Sequence, residues 1–227
     1  MPGPHKAAVK SAGGIGSVPC LVPQGGDVVD DSQRILRWVD VQVASRRHAR
    51  ERPPPLFPAA LDGEVTAFCE RCDMQLGTAT RSWAYYFVLD TPACAAAMSA
   101  HVQAHERMLF QCGLWAVMRP LIRMSYKVSA ENKDKALTRI RAVFDDVAAQ
   151  LADGRHFLFG DAFTAADLTF VALAAPVLGI PYGPAPRAGD NPPTAMQADI
   201  DAMRATPAGT FALRVWNEER ARAMAAE

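Results

Sequence analysis

The segment TAADLTFVALAAPVL, residues 164–178, most constrains how this chain can fold. Apart from Thr164, Asp167 and Thr169, it is apolar on every side of a helix. Such a helix has no face suited to solvent and belongs in the interior of a bundle. The sequence therefore predicts a helical bundle with this segment at its centre.

The start of this helix carries the pattern of a capping box. Thr164 can accept a hydrogen bond from the amide of Asp167, and the carboxylate of Asp167 can accept one from the amide of Thr164. A lost cap typically costs about 0.5–2 kcal/mol, and the cost rises when a buried donor loses its partner. We therefore expect Thr164 and Asp167 to have a structural role.

Helical periodicity also dominates the rest of the second part of the chain. Leu137, Ile140 and Phe144, for example, recur at intervals of three and four residues, which favours an amphipathic helix. The same pattern predicts further helices at residues 63–88, 92–111, 114–126, 131–152, 194–205 and 207–224.

The first part of the chain differs in its pattern. Residues 18–30 contain two short apolar runs around the turn PQGG, which predict a β-hairpin. Asp31 and Ser32 then precede a helical run, and four prolines within residues 46–62 indicate a linker. The predicted organisation is a small α+β domain, a linker and an all-helical domain, at residues 1–45, 46–62 and 63–227.

Charge and cysteine content limit the function classes that fit this chain. Its 24 basic and 24 acidic residues give a formal net charge of +0, so neither nucleic acid nor an anionic membrane is expected as a partner. No apolar stretch is long enough to span a bilayer. Five cysteines, an odd number in a chain of 227 residues, favour reduced thiols and a cytoplasmic location over a disulfide framework.

Two motifs together resemble those of a known family. The first is the Val18-Pro19 pair followed by Asp31-Ser32, and the second is the capping box at residues 164–167. In this order the chain resembles a cytosolic glutathione S-transferase along essentially its whole length. The resemblance implies an α+β, mostly α fold, in which part of a thioredoxin-like domain precedes an all-α bundle.

The resemblance also implies a site and a reaction. Pro19 would follow a cis peptide bond and leave the backbone of Val18 free to pair with the cysteinyl part of glutathione. Asp31 and Ser32 would bind the γ-glutamyl end, whose carboxylate would meet the hydroxyl of Ser32 and the open amides at a helix N-terminus. The family conjugates glutathione, its co-substrate, to hydrophobic electrophiles, needs no metal, and commonly forms homodimers.

The N-terminal part departs from the family pattern. The first domain of the family has the order β-α-β-α-β-β-α, with the activating Ser, Tyr or Cys near the end of the first strand or the start of the first helix. Only 17 residues precede Val18, whereas a β-α-β unit needs about 30 residues. We therefore expect a truncated member without a catalytic residue and with impaired conjugation. The alternative is a non-catalytic binding or scaffolding module.

Other residues admit both a functional and a structural interpretation. Five side chains of the helical domain could line a hydrophobic acceptor pocket or simply belong to the core: Tyr85, Tyr86, Trp115, Met118 and Arg119. The pair Cys69 and Cys72 has the spacing of a redox or metal motif, but it lies within a predicted helix. Ordinary helix cysteines are therefore the favoured interpretation.

Overall fold

In a computed structural model of the chain, the described residues are 4–46, 53–99, 103–180 and 192–225. The N-terminal part consists of two helices on either side of a short hairpin. In chain order its elements are α1 (Pro4–Ser11), β1 (Cys20–Leu21), β2 (Val29–Asp30) and α2 (Ser32–Arg46).

The remaining described residues are predominantly helical. The helices are α3 (Asp62–Cys72), α4 (Thr78–Val88), α5 (Pro92–Met98), α6 (Ala104–Leu109), α7 (Trp115–Ser125), α8 (Ala130–Gln150), α9 (Ala165–Ala174), α10 (Thr194–Arg204) and α11 (Pro207–Ala225). Turns of π-helix at Asp73–Gly77 and Phe110–Leu114 join α3 to α4 and α6 to α7. The predicted helical character of this part is confirmed.

Helix α9 lies in the middle of the bundle, as its all-round apolar sequence predicts. It packs against α3 and α11, and the side chains of Phe170 and Ala174 are completely buried. The ring of Phe170 meets that of Phe144 on α8 edge to face, with 5.3 Å between the ring centroids. The helix ends at Ala174 and not at the predicted residue 178, because Pro176 lacks the amide hydrogen that would continue it.

The capping box at the start of α9 is present. The amide and the hydroxyl of Thr164 both donate to Oδ2 of Asp167, each at 2.8 Å. The amide of Leu158 donates to Oδ1, also at 2.8 Å. Asp167 therefore anchors the preceding loop as well as the helix, and burial raises the pKa of its carboxyl.

The predicted helix 92–111 is wrong in its extent. Helix α5 ends at Met98, where Ser99 leaves helical geometry and its hydroxyl donates to the carbonyl of Ala95. Residues 100–102 lie outside the described part. The predicted break between residues 111 and 114 is instead a kink, because α6 continues through the π turn into α7 with Gly113 at φ 114°.

The N-terminal hairpin is shorter and more open than its sequence suggests. Within the described residues the sheet has two strands of two residues each, so the predicted partial thioredoxin-like domain is not established. Val18 and Val22, which resemble buried strand residues in the sequence, are 61% and 58% exposed. Apolar character alone did not distinguish a covered strand from an open one.

Polar contacts on α2 hold the N-terminal part against the bundle. Oδ1 and Oδ2 of Asp40 accept hydrogen bonds from the amides of Leu56 and Phe57, at 3.0 and 3.1 Å. The guanidinium of Arg37 lies over the ring of Phe57 with 4.0 Å to its centroid. Leu56 and Phe57 of the predicted linker thus contact α2, and residues 47–52 lie outside the described part.

Within residues 4–46, 53–99, 103–180 and 192–225, no helix combines the length and the apolarity that crossing a bilayer requires.

Candidate functional site

The hairpin brings together the four residues for which the sequence predicts a role in peptide binding. The ladder between β1 and β2 is antiparallel. Because the two strands are antiparallel, Val18 and Pro19, just before β1, and Asp31 and Ser32, just after β2, lie at the same end of the hairpin. All four residues are exposed, and the Val18–Pro19 peptide bond is cis, as the resemblance implies.

The side chain of Asp31 caps the N-terminus of α2. Asp31 has φ 77°, and its Oδ1 accepts hydrogen bonds from the amides of Gln33 and Arg34, at 2.9 and 3.3 Å. The expectation of open amides at this N-terminus is therefore wrong for these two, because an aspartate at the cap position satisfies them itself. The groups left for a ligand are the exposed hydroxyl of Ser32 and the side chains around it.

A cleft of about 480 Å³ lies between the start of α2 and the π turn after α3. Its lining mixes acids and cations: Asp31, Gln33, Arg34, Arg37, Glu70, Asp73 and Met74. Partial burial raises the pKa of the Asp73 carboxyl, and the nearby charge of Asp31 adds to the rise, against a hydrogen bond from Gln33. A cleft with charges of both signs suits a zwitterionic group.

Of the two cations in this cleft, Arg37 is already engaged. Its Nη2 lies 2.6 Å from Oδ1 of Asp62 and 2.7 Å from the hydroxyl of Thr66. The Arg37 guanidinium lowers the pKa of the Asp62 carboxyl, mainly through this hydrogen bond. Arg37 therefore fixes α2 to α3, and Arg34 is the exposed cation that the cleft offers to a ligand.

The cysteine next to the cis peptide bond is in an acidic environment. Cys20 is half-buried beside Asp30, whose Oδ2 accepts the amide of Ile15 at 3.0 Å. A Cβ atom on Gly14 would lie 3.1 Å from Sγ of Cys20 and 2.8 Å from Oδ1 of Asp30. Burial and then the Asp30 carboxylate raise the pKa of the Cys20 thiol, so this sulfur is a weak nucleophile at neutral pH.

A second, apolar cavity of about 290 Å³ lies between α4 and α7. Its lining is Tyr85, Met98, Met118, Leu121, Ile122, Ser125 and Tyr126.

The structure thus brings together only two of the five side chains considered for an acceptor pocket, Tyr85 and Met118. Trp115 stacks on Phe110, and Arg119 forms an ion pair with Asp90 at 3.5 Å. Tyr86 is exposed and contacts Phe87 on another side of α4. These three residues do not line the apolar cavity.

Comparison with known proteins agrees with this architecture. The family model for the C-terminal domain of glutathione S-transferases matches residues 103–187, which run from α6 through the central helix α9. This part of the chain is therefore similar to the glutathione S-transferases. The crystal structure of the beta-etherase LigF from Sphingobium sp. strain SYK-6 matches with a TM-score of 0.50 and 18% identity, over 92% of this chain and 83% of that chain. At this identity the likeness concerns the fold alone. No curated protein matches the chain.

Of the residues that line the cleft at the start of α2, only Asp31 was named from the sequence, and Arg34, Glu70 and Asp73, among others, were missed. Glu70 and Asp73 are three residues apart and so share one face of the predicted helix 63–88. The sequence could show that these two residues share a helix face, but nothing in it indicated that this face lies opposite the start of α2. The π turn that begins at Asp73 also has no signal in the sequence.

The Cys69 and Cys72 pair lies in the hydrophobic core of the bundle. Both side chains are completely buried in α3, and burial raises the pKa of the Cys72 thiol to about 12. The hydroxyl of Thr169 donates to Sγ of Cys69 at 3.4 Å. In the described part of the chain, no three His, Cys, Asp or Glu side chains are grouped so that they could hold a metal ion.

Proposed function

We propose that this chain binds glutathione at the start of α2, with Val18, Pro19, Asp31 and Ser32 as contacts. One observation supports the proposal: these four exposed residues share one end of the hairpin, and Asp31 among them lines a cleft with charges of both signs. The cleft volume of about 480 Å³ lies within the usual range for small-molecule sites.

The γ-glutamyl end of glutathione is a free amino acid group, with an ammonium and a carboxylate on one carbon. We assign the carboxylate to the hydroxyl of Ser32 and the guanidinium of Arg34. The ammonium then faces Asp31 and Asp73, and repulsion from the charge of Asp31 helps to raise the pKa of the Asp73 carboxyl in the free protein. Placing a cation between two carboxylates relieves that repulsion, which favours this end of the peptide over a simple anion.

The cysteinyl part is assigned to the backbone of Val18, which is exposed at the open end of the hairpin. An extended peptide can add to such an edge through main-chain hydrogen bonds. The proposed reaction is the one that the family resemblance implies. The thiolate of glutathione forms a carbon–sulfur bond with an electrophile, the leaving group departs with its bonding electrons, and the thiol proton passes to solvent.

The apolar cavity between α4 and α7 is the proposed site of the hydrophobic electrophile, with Tyr85 and Met118 in its wall. Methionine and tyrosine side chains suit flat apolar ligands of varied shape. A cytoplasmic location and a homodimer complete the proposal, as the family resemblance implies.

Isothermal titration with glutathione tests the binding site. Removing one hydrogen bond to a charged ligand group costs about 1.5–3 kcal/mol, so Ser32→Ala and Asp73→Asn are each expected to weaken binding about 10- to 100-fold. Ser45→Ala is the matched control, because Ser45 is exposed at the other end of α2 and its hydroxyl bonds the carbonyl of Gln42. Equal affinities for the Ser32 and Ser45 variants would contradict the assignment.

A conjugation assay with an activated aryl halide separates the enzyme from the binding module. Turnover above the uncatalysed rate, lost in the Ser32→Ala variant, is expected for a transferase. Glutathione binding without turnover would instead identify the chain as a non-catalytic binding module.

A further inference from the structure

Helices α4 and α8 and the end of α7 line a third cleft of about 430 Å³. It is separate from the sites proposed for glutathione and for the electrophile. Its lining is Thr78, Ala79, Ser82, Ser125, Tyr126, Lys127, Asn132, Lys135, Ala136 and Arg139. Ala79 and Ala136 are buried where the two long helices meet. Their small side chains leave room for a cavity between the polar walls.

The wall formed by α8 and the loop before it is cationic. Lys135 and Arg139 are four residues apart in α8 and so lie on the same helix face, a spacing that sets Cβ atoms about 6 Å apart. Lys127 adds a third cation from the loop. Lys135 bonds Oε1 of Glu131 at 2.6 Å, but in the part of the chain that the structure describes no salt bridge holds Lys127 or Arg139. Lys127 and Arg139 thus line the cleft without an ion-pair partner among the described residues.

The polar groups around these cations can accept hydrogen bonds from a ligand. The hydroxyl of Ser82 donates to the carbonyl of Tyr126 at 3.2 Å, and that of Thr78 donates to the carbonyl of Met74 at 3.0 Å. The Nδ2 group of Asn132 donates to the carbonyl of Lys127 at 2.8 Å. Because each of these side chains uses a hydrogen within the protein, its oxygen lone pairs remain for a donor on the ligand.

A ligand for this cleft therefore needs an anionic group at one end and hydrogen-bond donors at the other. Phosphate carries enough charge to engage two or three cations, and sugar hydroxyls supply donors for the side-chain oxygens. A bare oxyanion would leave the acceptors of Thr78, Ser82 and Asn132 unused. We propose that the cleft between α4 and α8 binds a small phosphorylated polyol of the sugar phosphate class.

Ribose 5-phosphate, with ribose and inorganic phosphate as partial probes, tests this assignment by isothermal titration. We expect ribose 5-phosphate to bind at least tenfold more tightly than either partial probe, and to bind more weakly as salt is raised because the cations are exposed. Arg139→Gln is expected to weaken it about tenfold, since it removes one charge contact to phosphate. Thr78→Val, which removes an acceptor but keeps the side-chain shape, should weaken ribose 5-phosphate and leave phosphate unchanged.

Arg141→Gln is the matched control, because Arg141 is exposed on the same helix but two residues from Arg139, on a different face. The proposal is overturned if ribose 5-phosphate fails to bind at millimolar concentration. Equal affinity for ribose 5-phosphate and phosphate also overturns it, since the polyol then contributes nothing. Equal losses in the Arg139 and Arg141 variants would place the ligand elsewhere and overturn it as well.

Discussion

At the residue scale, Asp167 is a buried carboxylate at the centre of the helical bundle whose stability depends on its hydrogen bonds. Its carboxyl is 0% exposed and accepts three hydrogen bonds, from both donors of Thr164 and from the amide of Leu158. The sequence predicted the bonds within the capping box. It could not predict the bond from Leu158, because that contact depends on how the preceding loop folds back onto the helix.

Asp167→Ala is expected to lower the free energy of unfolding by about 3–5 kcal/mol, because it leaves buried donors without an acceptor. Urea denaturation measures the change. Asp145→Ala, on the exposed face of α8, serves as the control and should change stability by less than about 0.5 kcal/mol. Similar losses in the two variants would show that the carboxylate of Asp167 does not anchor the loop.

Asp153 gives a pH prediction. Hydrogen bonds from the side chain and then the backbone of Arg155 lower the pKa of its carboxyl from 3.8 to about 2. A lowered folded-state pKa stabilises the protein above the unfolded value, and this contribution is lost as the pH falls from about 4 to about 2. Denaturation of the parent and the Asp153→Asn variant should therefore show a stability difference at pH 6 that shrinks across this window. A difference independent of pH would contradict the ion pair.

At the element scale, the sequence predicted helices well where the apolar pattern was continuous and poorly where backbone detail decides. The run 63–88 was predicted as one helix, and the structure has α3 and α4 joined by a π turn. Apolar periodicity indicates which side chains of a helix are buried. A π turn rotates the buried face slightly but does not interrupt the apolar pattern, so the pattern does not reveal it. The end of α5 at Met98 was not predicted. The helix ends where the hydroxyl of Ser99 donates to the carbonyl of Ala95, and a single serine is too weak a signal in the sequence to indicate such an end.

The contact between α10 and α11 depends on a glycine. A Cβ atom at Gly209 would lie 2.0 Å from the carbonyl oxygen of Met203 and 3.0 Å from Cα of Arg204, both backbone atoms that cannot turn aside. Gly209→Ala is expected to lower the melting temperature, with a loss of about 3 kcal/mol in the free energy of unfolding. Gly63→Ala in α3, where nothing lies within 4 Å, should instead be neutral or slightly stabilising. Calorimetry of both variants should show a lower melting temperature for Gly209→Ala and no decrease for Gly63→Ala.

At the scale of the whole molecule, the helical bundle predicted from the apolar periodicity is confirmed, and residues 103–187 resemble the C-terminal domain of glutathione S-transferases, as the motifs implied. The division into residues 1–45, 46–62 and 63–227 stays a prediction. The thioredoxin-like part could not be settled from the motifs, because the Val18-Pro19 and Asp31-Ser32 pairs indicate a local arrangement of the backbone and not the number of strands around it.

The attachment of the N-terminal part to the bundle centres on Asp40. Asp40→Ala removes the acceptor for the amides of Leu56 and Phe57, and we expect a loss of about 2 kcal/mol in the free energy of unfolding. Limited proteolysis should also cut faster near residue 53. Asp27→Ala, in the exposed hairpin turn, is the control and should change neither quantity. Unchanged stability in the Asp40 variant would mean that these hydrogen bonds do not hold the two parts together.

The central claim is that glutathione binds where the hairpin meets the start of α2. The most direct test is a ¹H–¹⁵N correlation spectrum of the assigned protein during titration with glutathione. We predict saturable shifts of the amides of Val18, Ser32, Gln33 and Arg34, and of Asp73 across the cleft. Saturable shifts confined to other parts of the molecule, or no saturable shift at millimolar glutathione, would contradict the claim.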